Sequence, residues 1–303
     1  MAIQFGGRVA VVTGAGSGLG RAHALGLAAR GAKVVVNDLG KSGAPSDNAL
    51  KVVEEIRAEG GGTVIADPAD VADYEQALAM AARVEQEWGR VDILVNNAGV
   101  LRDKTFAKMD MADFDLVLRV HLNGSVNCAK AVWAGMRERN FGRIVLTSSA
   151  SGIYGNFGQA NYGAAKAAMI GLMNVLSLEG AKNDIRVNVL APTARTAMTE
   201  GLLAPAVADL MEPEAVTPGL LFLVSENAPS RVILGAGAGV FAVTHISETR
   251  GVYLDEDERT PETIAARWAE ISDPATAEPL RDAISQTMKF VAAAAKAKGI
   301  ALP

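Results

Sequence analysis

Short apolar runs recur along most of the chain and alternate with longer segments of helical periodicity. The runs lie around Val9, Val34, Val64, Ile93, Ile144 and Val187, with a seventh near Phe241. Strands that are buried on both faces have continuous apolar runs, whereas covering helices show apolar residues at the helical period. The alternation therefore predicts an α/β fold, a Rossmann-like, doubly wound parallel sheet of about seven strands with helices on both faces.

The composition becomes more charged after about Ile246, where the alternation stops. Helical periodicity returns from Pro261 and again over residues 278–298. We therefore expect a dinucleotide-binding domain that includes the catalytic site in residues 1–246 and a C-terminal helical extension in residues 247–303, packed on the same domain. The extension is either a surface cover on the sheet edge or a dimer element that narrows the substrate entrance.

A glycine-rich segment follows the first apolar run directly and precedes a helical segment. It has the spacing Gly14-x-x-x-Gly18-x-Gly20, with Ser17 and Leu19 between the glycines. Such a turn admits a pyrophosphate close to the backbone, and the helix N-terminus offers free N–H groups and a positive dipole end. We expect these five residues to bind a dinucleotide; the alternative is a glycine-rich loop without a ligand.

An acidic residue, Asp38, ends the second apolar run, about 20 residues beyond the glycine turn. In dinucleotide-binding folds a carboxylate at this position hydrogen-bonds the hydroxyl groups of the adenosine ribose. A carboxylate there repels a 2′-phosphate, and Leu39 follows it rather than an arginine. The sequence therefore predicts NAD, not NADP, as the cofactor. The alternative is that Asp38 only begins the loop with Gly40 and Gly43.

A hydroxyl, a phenol and an amine form the candidate catalytic group. Ser149 follows an apolar run, and Tyr162 and Lys166 lie four positions apart. On a helix this spacing places both side chains on one face. An ammonium beside a phenol favours the phenolate, so we expect Lys166 to lower the pKa of Tyr162 and to make it an acid/base for an alcohol proton.

The motifs together resemble those of the short-chain dehydrogenase/reductase family. They are Thr13-Gly14-x-x-x-Gly18-x-Gly20, Asn96-Asn97-Ala98-Gly99, Asn123, Ser149 and Tyr162-x-x-x-Lys166, in that order. Residues 35–40, 97–103 and 148–162 are similar, within this family, to the (3R)-hydroxyacyl-CoA dehydrogenase domains of type 2 multifunctional enzymes. The resemblance implies NAD-dependent interconversion of a secondary alcohol and a ketone.

The resemblance implies a catalytic tetrad of Asn123, Ser149, Tyr162 and Lys166. In this tetrad Tyr162 is the general acid/base, and Lys166 lowers its pKa and holds the nicotinamide ribose. Ser149 hydrogen-bonds the substrate oxygen. Asn123 anchors a water that leads from Lys166 to solvent.

The resemblance also implies cofactor contacts outside the glycine turn. The residues on the adenosine side are Asp70, Val71, Asn97, Ala98 and Gly99. Pro192 is the wall beside the nicotinamide, although Thr193 follows it where the family often has glycine. Thr196 and Thr199 are alternative partners of the nicotinamide amide, and the sequence does not choose between them.

Composition and charge exclude several other classes of function. The formal net charge of −5 does not indicate nucleic-acid binding. The chain has no apolar run of about 18 residues, no signal-peptide pattern and no Ser-Lys-Leu end, so we expect a cytoplasmic protein. Cys128 is the single cysteine and is expected in the core. It lies in a helix predicted over residues 113–139.

The three histidines are too scattered in sequence to form a metal motif, and no metal is expected. His121 lies close to Asn123, and it either approaches the site or is a satisfied helix residue. Small residues along the helix that carries Tyr162 allow close helix approach, so we expect a homodimer or a higher homo-oligomer.

The sequence leaves the substrate open between two classes with a secondary alcohol beside a large apolar body. A (3R)-3-hydroxyacyl-CoA is favoured, and a 17β-hydroxysteroid or another alcohol is the alternative. Ile153, Tyr154 and Phe157 either wall the substrate or pack in the core. Basic side chains at Arg102, Lys104 and Lys108 either meet acyl-CoA phosphates or form a solvated face. A non-catalytic NAD-binding protein and a module that joins a larger multienzyme are the other classes considered.

Overall fold

An eight-stranded sheet runs through the first part of the computed structural model, which describes residues 2–41, 43–195 and 205–302. Its strands are β1 Val9–Thr13, β2 Lys33–Asn37, β3 Val64–Asp67, β4 Ile93–Asn96, β5 Gly142–Thr147, β6 Ile185–Thr193, β7 Ile233–Gly237 and β8 Val240–Thr244. They lie in the order β3-β2-β1-β4-β5-β6-β7-β8, and β1 to β7 pair in parallel. The predicted doubly wound α/β fold is confirmed.

Helices cover both faces of this sheet. They are α1 Gly18–Ala28, α2 Asp47–Ala58, α3 Tyr74–Trp88, α4 Met111–Leu118, α5 Gly124–Arg139, α6 Ala150–Tyr154, α7 Ala160–Gly180, α8 Pro205–Ala208 and α9 Thr217–Leu223. Alternate residues of β1 point to opposite faces. Val12 packs in the apolar cluster that contains Leu27 of α1, and Val11 packs in the cluster that contains Met80 of α3.

The last two strands differ from the prediction. The seventh strand was expected near Phe241, but β7 lies at Ile233–Gly237, and Phe241 belongs to β8. Ala238 and Gly239 have φ of 49° and 75° and connect the two strands as a two-residue hairpin turn. Glycines interrupt the apolar run of β7, which explains why its pattern is weak.

The helix predicted over residues 113–139 is not continuous. A π-helical turn, Arg119–Asn123, separates α4 from α5. A π insertion adds a residue to one helical turn and is frequently found at functional sites. His121 of this turn is buried and Asn123 is exposed.

The chain divides into two units, Met1–Val243 and Thr244–Pro303. The second unit contains β9 Ser247–Glu248, β10 Glu278–Pro279, α10 Pro261–Ala266, α11 Trp268–Ile271 and α12 Ala283–Lys298. A helix begins at Pro261 as predicted, whereas the helix predicted over 278–298 begins only at Ala283, because Glu278 and Pro279 pair with β9. Within the described residues of the whole chain, no helix has the length and apolarity needed to cross a bilayer.

Candidate active site

Three of the candidate motifs follow the carboxyl ends of neighbouring strands. The glycine turn follows β1, Asn97 follows β4, and Ser149 lies two residues beyond β5. The strand order reverses between β1 and β4, and ligands of doubly wound sheets bind in the crevice at such a reversal. The fold therefore brings these motifs to one edge of the sheet.

The glycine turn leaves the N-terminus of α1 open. Ser17 is the exposed N-cap residue, and its side chain makes no capping hydrogen bond. A Cβ at Gly20 would lie 2.2 Å from the Gly14 carbonyl oxygen, so that position requires glycine. Leu19 packs its side chain against the core. An open helix N-terminus suits a pyrophosphate, and the contacts expected of Gly14, Ser17, Gly18, Leu19 and Gly20 stay a prediction.

Asp38 lies directly beyond β2 and packs against the glycine turn. A Cβ at Gly16 would overlap its carboxylate, 1.7 Å from Oδ2. The carboxylate accepts a hydrogen bond from Ser46 Oγ at 3.1 Å. Burial raises the pKa of Asp38, while hydrogen bonds from Ser46 and from the backbone of Gly16 and Leu39 oppose this shift. The acidic group thus lies beside the turn, where the sequence predicted contact with the adenosine ribose.

The segment after β4 is hydrogen-bonded to the glycine turn. The Asn97 side chain donates to the carbonyl oxygens of Thr13 at 3.0 Å and of Gly14 at 3.2 Å. The Thr13 hydroxyl accepts from the backbone N–H groups of Asn97 and Ala98. The amide group of Asn97 thus holds the turn, and its expected contact with the cofactor stays a prediction. Thr13 plays an equal part, which its position directly before Gly14 could have indicated.

The remaining cofactor candidates lie at the same edge of the sheet. Val71 is buried, and its carbonyl accepts from Asn127 Nδ2 at 2.9 Å. Asp70 accepts from the Ala72 N–H at 2.9 Å, so it shapes the turn before α3. Pro192 is half-buried near the end of β6. Thr196 and Thr199, the candidate partners of the nicotinamide amide, lie outside the described residues.

Ser149, Tyr162 and Lys166 form one cluster. Ser149 is the N-cap of α6, where its hydroxyl accepts from the Ser151 N–H at 3.2 Å, and its side chain acts on the pKa of Tyr162. Lys166 is 4% exposed, and its Nζ lies 5.6 Å from the centre of the Tyr162 ring. Its ammonium donates to the Thr147 carbonyl at 2.6 Å. Three of the four tetrad residues are therefore together.

The electrostatics of this cluster correct one expectation. Burial raises the pKa of Tyr162, although the polar side chain of Ser149 opposes the shift; the charge of Asp103 raises it further. Burial also lowers the pKa of Lys166, to about 7. The expected lowering by Lys166 is therefore not the dominant effect on the pKa of Tyr162: burial is the largest cause, and the net pKa is raised.

Asn123, the fourth residue of the expected tetrad, is placed differently. It is exposed at the end of the π-helical turn, and among the described contacts its side chain has no hydrogen bond to Ser149, Tyr162 or Lys166. His121, two residues earlier, is 2% exposed and meets the Tyr162 ring edge-on, with ring centres 5.3 Å apart. Two alternatives were left open for His121, and the structure agrees with the one that places it at the site.

A polar network joins the segment around Asp103 to the residues that precede Tyr162. Gln159 donates to Asp103 Oδ2 at 2.6 Å and accepts from Ser151 Oγ at 2.7 Å. Asn161 Nδ2 donates to the Arg102 carbonyl at 3.0 Å. Residues 102–104 are thus tied to the start of α7. No role was predicted for Gln159, although it lies only three residues before Tyr162.

Comparison with known proteins gives the family of this fold and site. Residues 8–205 match the family model described as short chain dehydrogenase. The peroxisomal multifunctional enzyme A of Dictyostelium discoideum is 46% identical over 276 residues, covering 89% of this chain and 61% of that protein. The chain thus spans less than two thirds of that relative.

Two solved structures are similar to this one. The full-length peroxisomal multifunctional enzyme type 2 from Drosophila melanogaster is 38% identical with a TM-score of 0.80, covering 96% of this chain and 49% of that one. A 7α-hydroxysteroid dehydrogenase, complexed with NADH and 7-oxo glycochenodeoxycholic acid, is 30% identical with a TM-score of 0.71, covering 78% of this chain and 95% of that one. The present chain belongs to the short-chain dehydrogenase family and is an oxidoreductase that acts on CH–OH groups.

Proposed function

We propose that the protein interconverts a secondary alcohol and a ketone with NAD, using Tyr162 as the acid/base. The observation that carries the proposal is the grouping of three side chains: Ser149 acts on the Tyr162 phenol, and the Nζ of the buried Lys166 lies 5.6 Å from the centre of its ring. Bound NAD supplies the nicotinamide ring that accepts or returns a hydride. Ser149 holds the substrate oxygen, and Tyr162 takes the alcohol proton in one direction and returns it in the other.

Lys166 supports this proton transfer from inside the protein. Its ammonium is anchored on the Thr147 carbonyl and lies beside the phenol. Because burial lowers its pKa to about 7, the amine is balanced between charged and neutral forms near physiological pH. Its charge stabilises the phenolate that forms transiently while the proton is transferred.

The preference for NAD rests on Asp38. Its carboxylate lies beside the glycine turn, where a 2′-phosphate would meet like charge. Leu39, the next residue, is exposed and offers no positive charge. The NADH complex of the related 7α-hydroxysteroid dehydrogenase is consistent with a nicotinamide cofactor.

For the substrate, we propose a (3R)-3-hydroxyacyl-CoA that is oxidised to the 3-ketoacyl-CoA. Supporting observations are the similarity of residues 148–162 to the hydroxyacyl-CoA dehydrogenase domains and the multifunctional enzymes among the relatives. Tyr154 and Phe157 are 73% and 89% exposed, so core packing does not explain them, whereas Ile153 packs against the core. The exposed rings of Tyr154 and Phe157 offer an apolar surface for contact with the acyl chain.

The basic residues of this region are partly neutralised. Arg102 and Lys104 both pair with Asp113, at 3.6 Å and 3.5 Å. Each is about half exposed, and such pairs exchange readily with an anionic ligand because exposed ion pairs contribute little energy. A 17β-hydroxysteroid stays the alternative substrate, and the steroid bound to the 7α-hydroxysteroid dehydrogenase supports keeping it in the test.

The proposed homodimer uses the outer faces of α5 and α7. A groove between them is lined by Val126, Ala129, Lys130, Trp133, Leu172, Leu176 and Glu179. Val175 and Leu178 of α7 are about half exposed despite being apolar. A second copy would cover this apolar surface. The cytoplasmic location stays a prediction, since relatives are named as peroxisomal.

A steady-state comparison tests this function. The purified chain is assayed with NAD and with NADP against (3R)- and (3S)-3-hydroxyacyl-CoA and a 17β-hydroxysteroid, at two salt concentrations. The proposal expects the highest kcat/KM for the (3R)-acyl-CoA with NAD, falling with salt. A steroid preferred tenfold or more, or no activity on the (3R)-acyl-CoA, would overturn the substrate while leaving the dehydrogenase chemistry.

A further inference from the structure

His121 connects three parts of the site through one side chain. Its Nε2 lies 3.0 Å from the backbone nitrogen and 2.8 Å from the carbonyl oxygen of Val100. Its ring meets Tyr162 at an interplanar angle of 87°. The imidazole also lies on Gly99, where a Cβ would be only 2.2 Å from Cε1. Glycine is therefore required at position 99 to leave room for the His121 ring, in addition to its expected contact with the cofactor.

The imidazole is uncharged at physiological pH. Burial lowers the pKa of His121 to about 3, and the positive charge of Lys166 acts in the same direction. A neutral imidazole has one N–H donor and one acceptor nitrogen. Nδ1 is buried with no hydrogen-bond partner among the described residues. The tautomer with Nε2–H donating to the Val100 carbonyl is favoured, because the other would bury an unpaired N–H.

The contact with Tyr162 bears on the position of its hydroxyl group. An edge-to-face ring pair restricts the tilt of both rings. If the Tyr162 ring tilts, its hydroxyl moves away from Ser149 and from the substrate oxygen. A displacement of about 1 Å at a reacting group costs roughly 10²-fold in rate.

The contact between His121 and Val100 holds the segment of chain that follows β4. Val100 begins the segment that continues through Arg102, whose carbonyl is tied to Asn161, and Asp103, which accepts from Gln159. His121 fixes the first residue of this segment, and α7 fixes the rest. The segment borders Tyr162, as the effect of the Asp103 charge on that residue shows.

We propose that His121 is a positioning residue of this enzyme, with two separable effects. Its ring sets the orientation of Tyr162, and its Nε2 holds the Val100 segment against the substrate. This inference rests on the proposed function, because it takes Tyr162 as the acid/base. It assigns to His121, not to the exposed Asn123, the support of the tetrad from the π-helical turn.

Two variants separate the two effects. His121→Gln removes the ring and keeps an amide that can bond to Val100. We expect kcat to fall about 10- to 100-fold with KM changed less than about threefold. His121→Phe keeps a ring against Tyr162 and loses the bond to Val100. Here we expect the larger change in KM, a rise of about tenfold, because the loss is in substrate binding.

A titration that needs no turnover makes the test independent of the substrate. The ultraviolet absorbance of the Tyr162 phenolate is followed with pH, after subtraction of the same titration in Tyr162→Phe. The groups that face this phenol are Ser149, Asp103, Lys166 and the uncharged His121. Removal of the ring in His121→Gln admits water, so the pKa of Tyr162 is expected to fall relative to the unmodified protein.

Thermal melting and Asn123→Ala complete the comparison. An unchanged kcat together with an unchanged pKa of Tyr162 in His121→Gln would overturn the inference. It would also be overturned if the changes in kcat and KM of the two His121 variants simply paralleled their drop in melting temperature. A loss of kcat in Asn123→Ala equal to that in His121→Gln would also overturn it. If the unmodified chain turns over no substrate, the proposed function fails, and the titration still decides whether His121 positions Tyr162.

Discussion

The ammonium of Lys166 donates a hydrogen bond to the carbonyl oxygen of Thr147, 2.6 Å away, at the carboxyl end of β5. The lysine comes from α7, so this bond joins the catalytic helix to the central strand of the site. Ser148 adds a second link, since its hydroxyl donates to the Lys166 carbonyl at 2.7 Å. Together the two bonds hold the part of α7 that carries Tyr162 and Lys166 against the end of β5.

Burial of Lys166 predicts a pH dependence of stability. Its pKa is about 7 in the folded protein and 10.5 for the ordinary side chain. Between these values the unfolded chain holds a proton that the folded chain has released. The free energy of unfolding therefore rises with pH in this window, by at most about 1.4 kcal/mol per pH unit, and the gain is lost as pH falls toward 7.

The difference between the unmodified protein and Lys166→Met isolates this effect. Denaturant unfolding at several pH values from about 7 to about 10 should show the unmodified protein gaining stability relative to the variant. Lys51→Met, on an exposed position of α2, controls for the removal of any lysine. A difference that stays flat across the window would contradict the assignment.

Asp38→Ala is expected to relax the choice of cofactor. The variant loses a charged hydrogen-bond acceptor worth about 1.5–3 kcal/mol and no longer repels a 2′-phosphate. The ratio of kcat/KM for NAD to that for NADP should therefore fall about tenfold or more. Asp47→Ala removes a neighbouring exposed carboxylate and serves as the matched control. If the unmodified protein already uses NADP better than NAD, the role given to Asp38 is wrong.

The sequence predicts the sheet and most of the cluster because their signals are local. The apolar run of β1, the turn from Gly14 to Gly20 and the helix after them are contiguous, and the spacing of Tyr162 and Lys166 fixes their common face. Such patterns need no knowledge of distant packing. These parts of the prediction therefore agree with the structure.

The role of His121 could not be predicted in the same way. A π-helical turn adds one residue without changing the apolar pattern enough to be detected, so periodicity predicts one continuous helix. The resemblance then placed the fourth tetrad residue at Asn123. Likewise, the raised pKa of Tyr162 depends on how deeply the folded chain buries it, which spacing does not show.

The exposed Phe157 predicts a dependence on acyl-chain length. Phe157→Ser should raise KM for a long-chain (3R)-3-hydroxyacyl-CoA about tenfold, because apolar contact with the chain is lost. A short-chain substrate should be affected much less. Val240→Ser, at an exposed position of β8, is the control. An equal rise in KM for long and short chains would show that Phe157 does not contact the acyl chain.

The groove between α5 and α7 predicts the interface of the homodimer. Val175→Glu places a charge on this surface and should give a monomer, because an unpaired charge is costly in an apolar interface. Light scattering at micromolar concentration measures the change. Leu50→Glu, on α2, puts the same charge at another half-exposed position and should leave the oligomer intact. An unmodified protein that is already monomeric would refute the interface.

The central claim is that Tyr162 carries the alcohol proton, and Tyr162→Phe tests it most directly. The variant keeps the ring, its contact with His121 and the fold, and loses only the hydroxyl proposed to carry the proton. NAD binding, measured by calorimetry, should stay within about threefold of the unmodified protein. Turnover of the best alcohol substrate should fall by at least ~10²–10⁴-fold. A folded variant with turnover close to that of the unmodified protein would contradict the account.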